Sequence, residues 1–441
     1  MKRFSLLPMG LVAASIVACG VMPLSEGPSS ENGGKGESVL TRDLVALLRN
    51  GDGAAFCTAV LIGNDRALTA AHCFTHPQLN EPALVAVDGE RRLITSVSLP
   101  ASFEPTIGAV KAKSKDALYD IAYFTFHPPL ATTGFQPLDN TTGDVLGVHT
   151  LYGYFGYEYR GQKPTEPIPG VLFSAARSPF RWDFFAGDIP RDGNRYYTAV
   201  VSEAMLKQRD SDKVPPPQQL VCKGSSGGPL LFTATHDKHG QPLGDRHDVQ
   251  TVLAGVFVGF AQNDKRDPAT CAQVGESLYF ASVKHNRAFI DAAQESDKRF
   301  RPLTRPQMSC GNHGLRLVSY AKDAQSGQMR WSGFSGLALP DKIVDHQAGT
   351  LSLPLGDYLG TGPETTEVLW LSGAQPTITF DELPGYAGLG RYSESPSAAP
   401  QRWRKRFTAQ ANDRSKGYHG RLLLKVSGPT TLLLTTFSFC D

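Results

Sequence analysis

Short apolar runs that end at glycine, proline or polar turn residues recur along the chain from Val39 to about residue 295. Runs of this length with frequent turns are typical of the strands of an all-β sandwich or barrel. One helical pattern, from Val283 to about Ala293, closes the region. The pattern predicts a mainly β domain with a short C-terminal helix. Its clearest strand-like runs are Leu44–Leu48, Thr58–Ile62, Ile121–Phe126, Val145–Tyr154, Gly228–Phe232 and Val252–Phe260.

A second set of strand-like runs follows residues 296–309, a stretch rich in arginine and proline that is typical of a linker. Loops rich in glycine, proline and serine separate these runs, which favours a smaller β-sandwich-like domain over residues 310–441. No motif in this domain indicates its function, so its ligand stays unknown. The runs are Leu315–Tyr320, Val368–Leu371, Thr377–Phe380, Leu422–Val426 and Leu432–Phe439.

The N-terminus has the pattern of a signal peptide. Lys2 and Arg3 precede the apolar run Phe4–Val17, which is shorter than the roughly 20 residues that a membrane-spanning helix needs. The run ends in Ile-Val-Ala-Cys-Gly, which resembles a bacterial lipobox. We therefore expect residues 1–19 to be a lipoprotein signal peptide, with Cys19 lipidated. Signal-peptide cleavage with an incidental Cys19 is the alternative.

Residues 20–38 lack apolar periodicity and are predicted to be a flexible tether from the membrane to the folded body. These features predict an exported protein that is lipid-anchored in the cell envelope. Gly20 after the cysteine favours the outer membrane, and release to the outside of the cell is a further outcome.

Composition supports a globular protein with two domains and excludes one class of partner. The chain has 441 residues, of which 41% are hydrophobic and 20% charged, with a net charge of +2. This balance gives no general attraction to nucleic acid, and we expect no such partner. The chain has seven cysteines. Lipidation of Cys19 would leave six, an even number that suits an oxidising compartment.

Three segments carry the residue types of nucleophilic catalysis. His72 ends the run Leu-Thr-Ala-Ala-His before a cysteine, Asp120 directly precedes an apolar run, and Ser226 lies within Gly224–Pro229. Asp116 competes with Asp120 but precedes no such run. A serine hydroxyl needs a neighbouring base to attack a carbonyl, and the base needs a partner that fixes its tautomer. The order histidine, aspartate, serine therefore indicates a catalytic triad.

Over about residues 39–295, these segments resemble the chymotrypsin/trypsin family of serine endopeptidases. The resemblance implies a double β-barrel that hydrolyses proteins or peptides through an acyl-enzyme, without a metal or another cofactor. Ser226 would be the nucleophile, His72 the general base, and Asp120 the carboxylate that orients the base. The backbone N–H groups of Gly224 and Ser226 would form the oxyanion hole.

The resemblance also implies disulfides and a substrate-binding region. Val258 and Gly259 would lie on the strand that pairs with the substrate, with a register ambiguous by one residue. Leu220 and Val221 would lie at the floor of the specificity pocket, which favours an apolar substrate side chain, whereas Lys223 at the rim could favour an acidic group. The implied bridges are Cys57–Cys73 and Cys222–Cys271, which leave Cys310 and Cys440 for a third.

The chain departs from the family pattern at the position before the nucleophile. Activatable members have an aspartate there, which pairs with a new amino terminus formed by cleavage before an Ile-Val-Gly-Gly-like segment. This chain has Ser225, and it has no such segment near residue 39. Because both parts of the switch are absent together, we expect an enzyme that folds in its active form.

Other interpretations remain open. The protein could be an inactive protease-like binding protein or adhesin, and the same triad would also serve an esterase. Residues 236–248 contain metal-ligand types without a recognisable spacing, which favours a solvated hairpin over a metal site. Residues 402–407 alternate charge and aromatics, as nucleic-acid or glycan surfaces can, but a solvated stripe on an edge strand or loop is favoured.

Overall fold

The computed structural model describes the chain between residues 44 and 438 in separate segments. Within these segments, no helix has the length and apolar character needed to cross a membrane. The described residues are 44–51, 53, 55–75, 79, 81–86, 88–104, 116–131, 136–140, 147–160, 163–175, 181–183, 196–200, 224–236, 239, 241–243, 251–260, 272, 275–299, 314–333, 344–347, 349–355, 364–382, 390–396, 404–411 and 420–438.

The first part of the chain forms a closed six-stranded barrel with the order β1-β2-β3-β6-β5-β4. Its strands are β1 (Val45–Arg49), β2 (Ala55–Gly63), β3 (Arg66–Thr69), β4 (Ala83–Val85), β5 (Arg91–Ser98) and β6 (Ala122–His127). Along β2, Ala59 and Leu61 are buried in the barrel core, whereas Val60 on the other face packs with residues of the next sheet. Both faces of β2 are therefore covered. The strand lies at the junction between the barrel and the sheet that follows it, which are the two halves of the region up to residue 299.

A seven-stranded sheet follows, with the order β8-β7-β11-β12-β13-β10-β9. Its strands are β7 (Gly147–Arg160), β8 (Lys163–Ala175), β9 (Arg181–Asp183), β10 (Tyr196–Val200), β11 (Pro229–Ala234), β12 (Thr251–Phe260) and β13 (Ser277–Ser282). The helix α1 (Arg287–Arg299) packs Phe289, Ile290 and Ala293 into the hydrophobic cluster that joins this sheet to the barrel. The all-β fold with a short helix agrees with the sequence analysis.

The helix begins and ends later than predicted. Residues 283–286 form a turn in which the N–H of His285 donates to the hydroxyl of Ser282, at 3.2 Å. At the other end, the helix continues through Arg299 and includes the first four residues of the predicted linker. The linker prediction was therefore wrong for residues 296–299.

The C-terminal part consists of two sheets that pack face to face, as the sandwich prediction implied. The six-stranded sheet has the order β15-β14-β23-β18-β21-β20, and the four-stranded sheet has the order β16-β17-β22-β19. Residues such as Val318, Leu351, Leu424 and Leu434 form the core between them. The strands are β14 (Gly314–Lys322), β15 (Met329–Gly333), β16 (Val344–Gln347), β17 (Thr350–Leu355), β18 (Glu364–Gly373), β19 (Thr377–Glu382), β20 (Gly390–Pro396), β21 (Arg404–Ala411), β22 (Gly420–Lys425) and β23 (Thr430–Ser438).

The six-stranded sheet also packs against the first barrel, a contact that the sequence analysis did not predict. Five buried leucines of β14, β18 and β23 share one hydrophobic cluster with the barrel interior, and β14 and β23 lie next to β5. The six-stranded sheet is thus covered on both faces, because its other face meets the four-stranded sheet. The leucines are Leu315, Leu317, Leu369, Leu371 and Leu433.

Polar contacts reinforce this interface. The N–H of Glu81 donates to the carbonyl oxygen of Leu315 at 3.2 Å, and the Glu81 carboxylate forms an ion pair with Arg316. Further along the sheet, the hydroxyl of Ser96 donates to the buried carboxylate of Glu367 at 3.4 Å. The C-terminal sheets are therefore part of one packed body with the barrel.

The structure also describes parts of the charged stripe at residues 402–407 and of the predicted hairpin at residues 236–248. Strand β21 (Arg404–Ala411) lies between β18 and β20, so the expected placement of the charged stripe on an edge strand or loop was wrong for Arg404–Phe407. His236 pairs with Pro242 in an antiparallel bridge, which agrees with a hairpin at that position. Several residues singled out in the sequence lie outside the described residues, among them Cys19, Leu220, Val221, Cys222, Lys223, Cys271, Cys310 and Cys440.

Candidate active site

His72 lies just after the end of β3 and just before a cysteine that forms a disulfide. It lies in the 3-10 turn Ala71–Thr75, and the next residue, Cys73, forms a disulfide with Cys57 on β2. The disulfide confirms the pairing that the family resemblance implied. Because one of its two cysteines is adjacent to His72, the bridge ties the histidine to the strand at the junction of the two halves.

Asp120 reaches His72 because β6 pairs with β3, with Ala122 opposite Thr69. One carboxylate oxygen accepts the backbone N–H of His72 at 2.9 Å, and the other lies 2.7 Å from the ring Nδ1. The Asp120 side chain is 3% exposed, whereas that of His72 is 18% exposed. The carboxylate therefore lies behind the imidazole, and Asp120, the preferred candidate over Asp116, makes both contacts.

The environment of His72 changes its proton affinity. Burial opposes the charged imidazolium and lowers the pKa, but the negative charge of Asp120 and its hydrogen bond raise it by more. The pKa of His72 is therefore raised above its ordinary value of 6.5. A neutral imidazole oriented through Nδ1 leaves the other ring nitrogen as a proton acceptor, which is the state that a general base requires.

Ser226 lies in a turn that directly precedes β11. Gly224 and Gly227 adopt positive φ angles of 95° and 85°. A Cβ atom at Gly227 would lie 2.0 Å from the hydroxyl oxygen of Thr69 and 2.1 Å from the carbonyl oxygen of Thr58. Glycine is therefore required there both by the backbone conformation and by the close approach of the turn to the barrel.

Thr58 on β2 holds this turn against the first barrel. Its N–H donates to the carbonyl oxygen of Ser226 at 2.7 Å, and its hydroxyl donates to the carbonyl oxygen of Gly224 at 3.0 Å. Thr58 directly follows Cys57, and the disulfide partner of Cys57 is Cys73, which directly follows His72. The nucleophile candidate and the base candidate are thus anchored to adjacent residues of one strand.

The Ser226 hydroxyl itself has a different partner. It donates to the carbonyl oxygen of Val258 at 3.4 Å, and within the described residues it makes no hydrogen bond to His72. Val258 lies at an irregularity in the pairing of β12 with β13, where Phe257 faces Phe280 and Gly259 faces Tyr279. At this bulge the Val258 carbonyl oxygen faces the Ser226 hydroxyl.

Two amide donors are available beside the serine. Within the part of the chain that the structure describes, neither the N–H of Gly224 nor that of Ser226 donates a hydrogen bond. These are the two groups expected to form an oxyanion hole. Together with the His72–Asp120 pair, the arrangement can stabilise negative charge on an oxygen and accept a proton from a nearby hydroxyl.

The possible metal-ligand atoms of three residues, Cys57, His72 and Cys73, lie within 4.8 Å of one another. Both sulfur atoms are joined in the disulfide, so neither is a thiolate that could bind a metal. The grouping is therefore explained by the bridge beside the histidine.

Sequence reasoning missed the role of Thr58 and Thr69 at this site. Both residues are fully buried, and the Thr69 hydroxyl donates to the Thr58 carbonyl at 2.7 Å. The signal that could have identified them is a threonine within each of two short, mostly apolar strands, because a hydroxyl that becomes buried needs a hydrogen-bond partner.

Comparison with known proteins agrees with the geometry of the first barrel. The family model described as Trypsin matches residues 32–161, a segment that includes His72 and Asp120 and ends before Ser226. No protein in the curated set that was compared matches the chain.

Proposed function

We propose that the protein is a serine endopeptidase that uses His72, Asp120 and Ser226, and the match of residues 32–161 to the trypsin family model supports this proposal. The observation that carries the proposal is the His72–Asp120 pair, with contacts of 2.7 and 2.9 Å, beside a turn that holds Ser226 against the same barrel. Membership of this peptidase family implies protein or peptide substrates.

The reaction begins when the Ser226 hydroxyl leaves the Val258 carbonyl by rotation about its Cα–Cβ bond and turns towards His72. The imidazole accepts the hydroxyl proton as Oγ attacks the scissile carbonyl carbon, and the imidazolium is stabilised by the Asp120 carboxylate. The carbonyl oxygen becomes negatively charged and receives hydrogen bonds from the N–H groups of Gly224 and Ser226.

The tetrahedral intermediate then collapses with cleavage of the C–N bond, and His72 donates its proton to the leaving amine. Water, activated by the same imidazole, attacks the acyl-enzyme and releases the carboxylic acid product. The raised pKa of His72 favours the proton-transfer steps that form the imidazolium. Because a protonated His72 cannot act as a base, activity is expected to be lost when the pH falls below this pKa.

For substrate recognition, we propose that the peptide backbone pairs with β12 at Val258 and Gly259. Leu220 and Val221 are proposed to line the specificity pocket, and their apolar side chains favour an apolar substrate residue before the cleaved bond. An apolar pocket separates side chains that differ by one methylene by only about 1–3 kcal/mol, so a broad preference is expected. Cleavage of a peptide library mainly after arginine or lysine would contradict this.

We also propose that the protein is exported and anchored to the envelope by lipid on Cys19, with the outer membrane favoured, and that it needs no cleavage near residue 38. Labelling of cells with radioactive palmitate should mark the wild type but not Cys19→Ser. Full-length protein that stays inactive until it is cut near residue 38 would contradict the second statement.

Casein hydrolysis by purified protein tests the main proposal. Ser226→Ala and His72→Ala should each reduce the rate at least about 10⁴-fold, because the triad acts as a unit. Thr233→Val removes a hydroxyl from a threonine pair on the second sheet, at 2.9 Å from Thr251, and should leave the rate unchanged. Folded wild-type protein without activity would favour a protease-like binding protein, and activity that survives in Ser226→Ala would exclude Ser226 as the nucleophile.

A further inference from the structure

Thr58 contacts the turn of Ser226 at two carbonyl groups that flank residue 225. Its backbone N–H donates to the carbonyl of Ser226 at 2.7 Å, and its hydroxyl donates to the carbonyl of Gly224 at 3.0 Å. The backbone between these two carbonyls contains Ser225 and the N–H of Ser226. One residue of the first barrel therefore holds both ends of the segment that carries an expected oxyanion donor.

This segment needs such an anchor because of its own composition. Gly224 has a positive φ of 95°, and glycine is the residue with the greatest backbone freedom. Ser225 is fully buried and carries no charge, so hydrogen bonds rather than an ion pair of its side chain hold the turn. The Gly224 carbonyl shares a peptide plane with the N–H of Ser225, and its orientation sets ψ of Gly224 and φ of Ser225. These two angles determine how the N–H groups of Gly224 and Ser226, in the peptides on either side, are oriented relative to each other.

Thr58 is itself held in place. Its carbonyl oxygen accepts the hydroxyl of Thr69 at 2.7 Å, and its neighbour Cys57 is bound to Cys73 by the disulfide. Thr58 is fully buried, so its hydroxyl donates in a setting where water does not compete. The anchor is therefore rigid, which is the property that a precise oxyanion site requires.

We propose that Thr58 is a positioning residue for the oxyanion hole. Its hydroxyl holds the carbonyl of Gly224 and thereby fixes the backbone that carries the oxyanion donors. The inference rests on the proposed peptidase function. Thr58 does not touch the substrate. It holds the Gly224 and Ser226 amides in the orientation that receives the developing negative charge, and it does so from the first barrel while the nucleophile belongs to the second half.

The test uses full-length protein and a fluorophosphonate probe, which needs no knowledge of the natural substrate. In this reaction Ser226 Oγ forms a bond to phosphorus, the P–F bond breaks, fluoride leaves, and the serine proton passes to His72. The phosphoryl oxygen gains charge in the position of the oxyanion. Two quantities are measured: the second-order rate constant of labelling and the fraction of chains labelled at completion.

Thr58→Val keeps the side-chain volume and removes the donor, so the rate constant should fall about tenfold or more while the final labelled fraction stays as in the wild type. Thr58→Ser restores the donor and should react within about twofold of the wild type. Thr95→Val is the matched control, because it removes a hydroxyl that pairs with Thr125 at 2.8 Å elsewhere on the same barrel. Its rate should not change.

A merely structural role of Thr58 would lower the melting temperature and the labelled fraction but not the rate for each labelled site, and that result would overturn the inference. A wild-type rate in Thr58→Val would also overturn it. If Thr58→Val does not fold, Thr58→Ala replaces it in the comparison with Thr58→Ser. A folded wild type without labelling, or labelling that persists in Ser226→Ala, would instead refute the proposed function.

Discussion

Replacement of Leu369 by alanine should destabilise the chain by about 2–5 kcal/mol. Leu369 is 4% exposed and belongs to the hydrophobic cluster that the six-stranded sheet shares with the first barrel. The change removes three carbon atoms, which cost about 2 kcal/mol through transfer alone, and the cavity left behind adds the rest. If residues 310–441 formed an independent domain, this side chain would face water and its loss would cost no more than about 0.5 kcal/mol.

Urea unfolding followed by circular dichroism gives the loss of stability, and hydrogen exchange of the amides in β1–β6 shows where it acts. The mutant should show faster exchange in the barrel as well as in the C-terminal sheets, with a single unfolding transition. Leu424→Ala is the control, because it opens a cavity between the two C-terminal sheets without direct contact to the barrel cluster. A loss below 0.5 kcal/mol in Leu369→Ala, with unchanged barrel exchange, would refute the shared core.

Three further predictions concern the site and its surroundings. Gly227→Ala should abolish casein hydrolysis and labelling, because a Cβ there would collide with the barrel at 2.0 Å; Gly53→Ala is the control, since Gly53 has a similar φ of 86° with nothing within 4 Å. In an NMR titration, His72 should titrate above 6.5, and Asp120→Asn should lower its pKa, because burial then acts without the opposing carboxylate. Activity should accordingly fall as the pH drops through the His72 pKa, and a midpoint below 6.5 would contradict the assignment. Burial lowers the pKa of His149 to about 4 from 6.5, so the unfolded chain binds a proton between these values while the folded chain does not. The unfolding free energy should therefore decrease by roughly 3 kcal/mol as the pH falls through this window, and His149→Phe should remove that part of the dependence.

The strands and the His72–Asp120 pair could be predicted because their signals are local. Strands β1, β2 and β6 are apolar runs that the sequence pattern predicted, whereas β3, β4 and β5 were not predicted; β5 begins with two arginines and contains three hydroxyl residues. His72 stands beside a cysteine whose bridge fixes the local chain. Asp120 directly precedes β6, which pairs with the strand that leads to His72. Short-range pattern and a family motif were therefore sufficient for this part of the site.

The packing of the C-terminal sheets could not be predicted from such patterns. Strands β22 and β23 each contain three consecutive leucines, yet Leu423 is only half-buried whereas Leu433 is buried against the barrel cluster. A run of leucines does not show which of its faces meets another layer, because that depends on which sheets pack together. The same limit applies to the bulge at Val258, which depends on the register between β12 and β13.

Mass-spectrometric mapping of the fluorophosphonate adduct in wild-type protein tests the central claim most directly. We expect one phosphonyl group on each chain, located on Ser226, and a reaction slowed by orders of magnitude in His72→Ala, because the imidazole removes the serine proton. Folded protein that acquires no adduct, or that carries it on another side chain, would contradict the account.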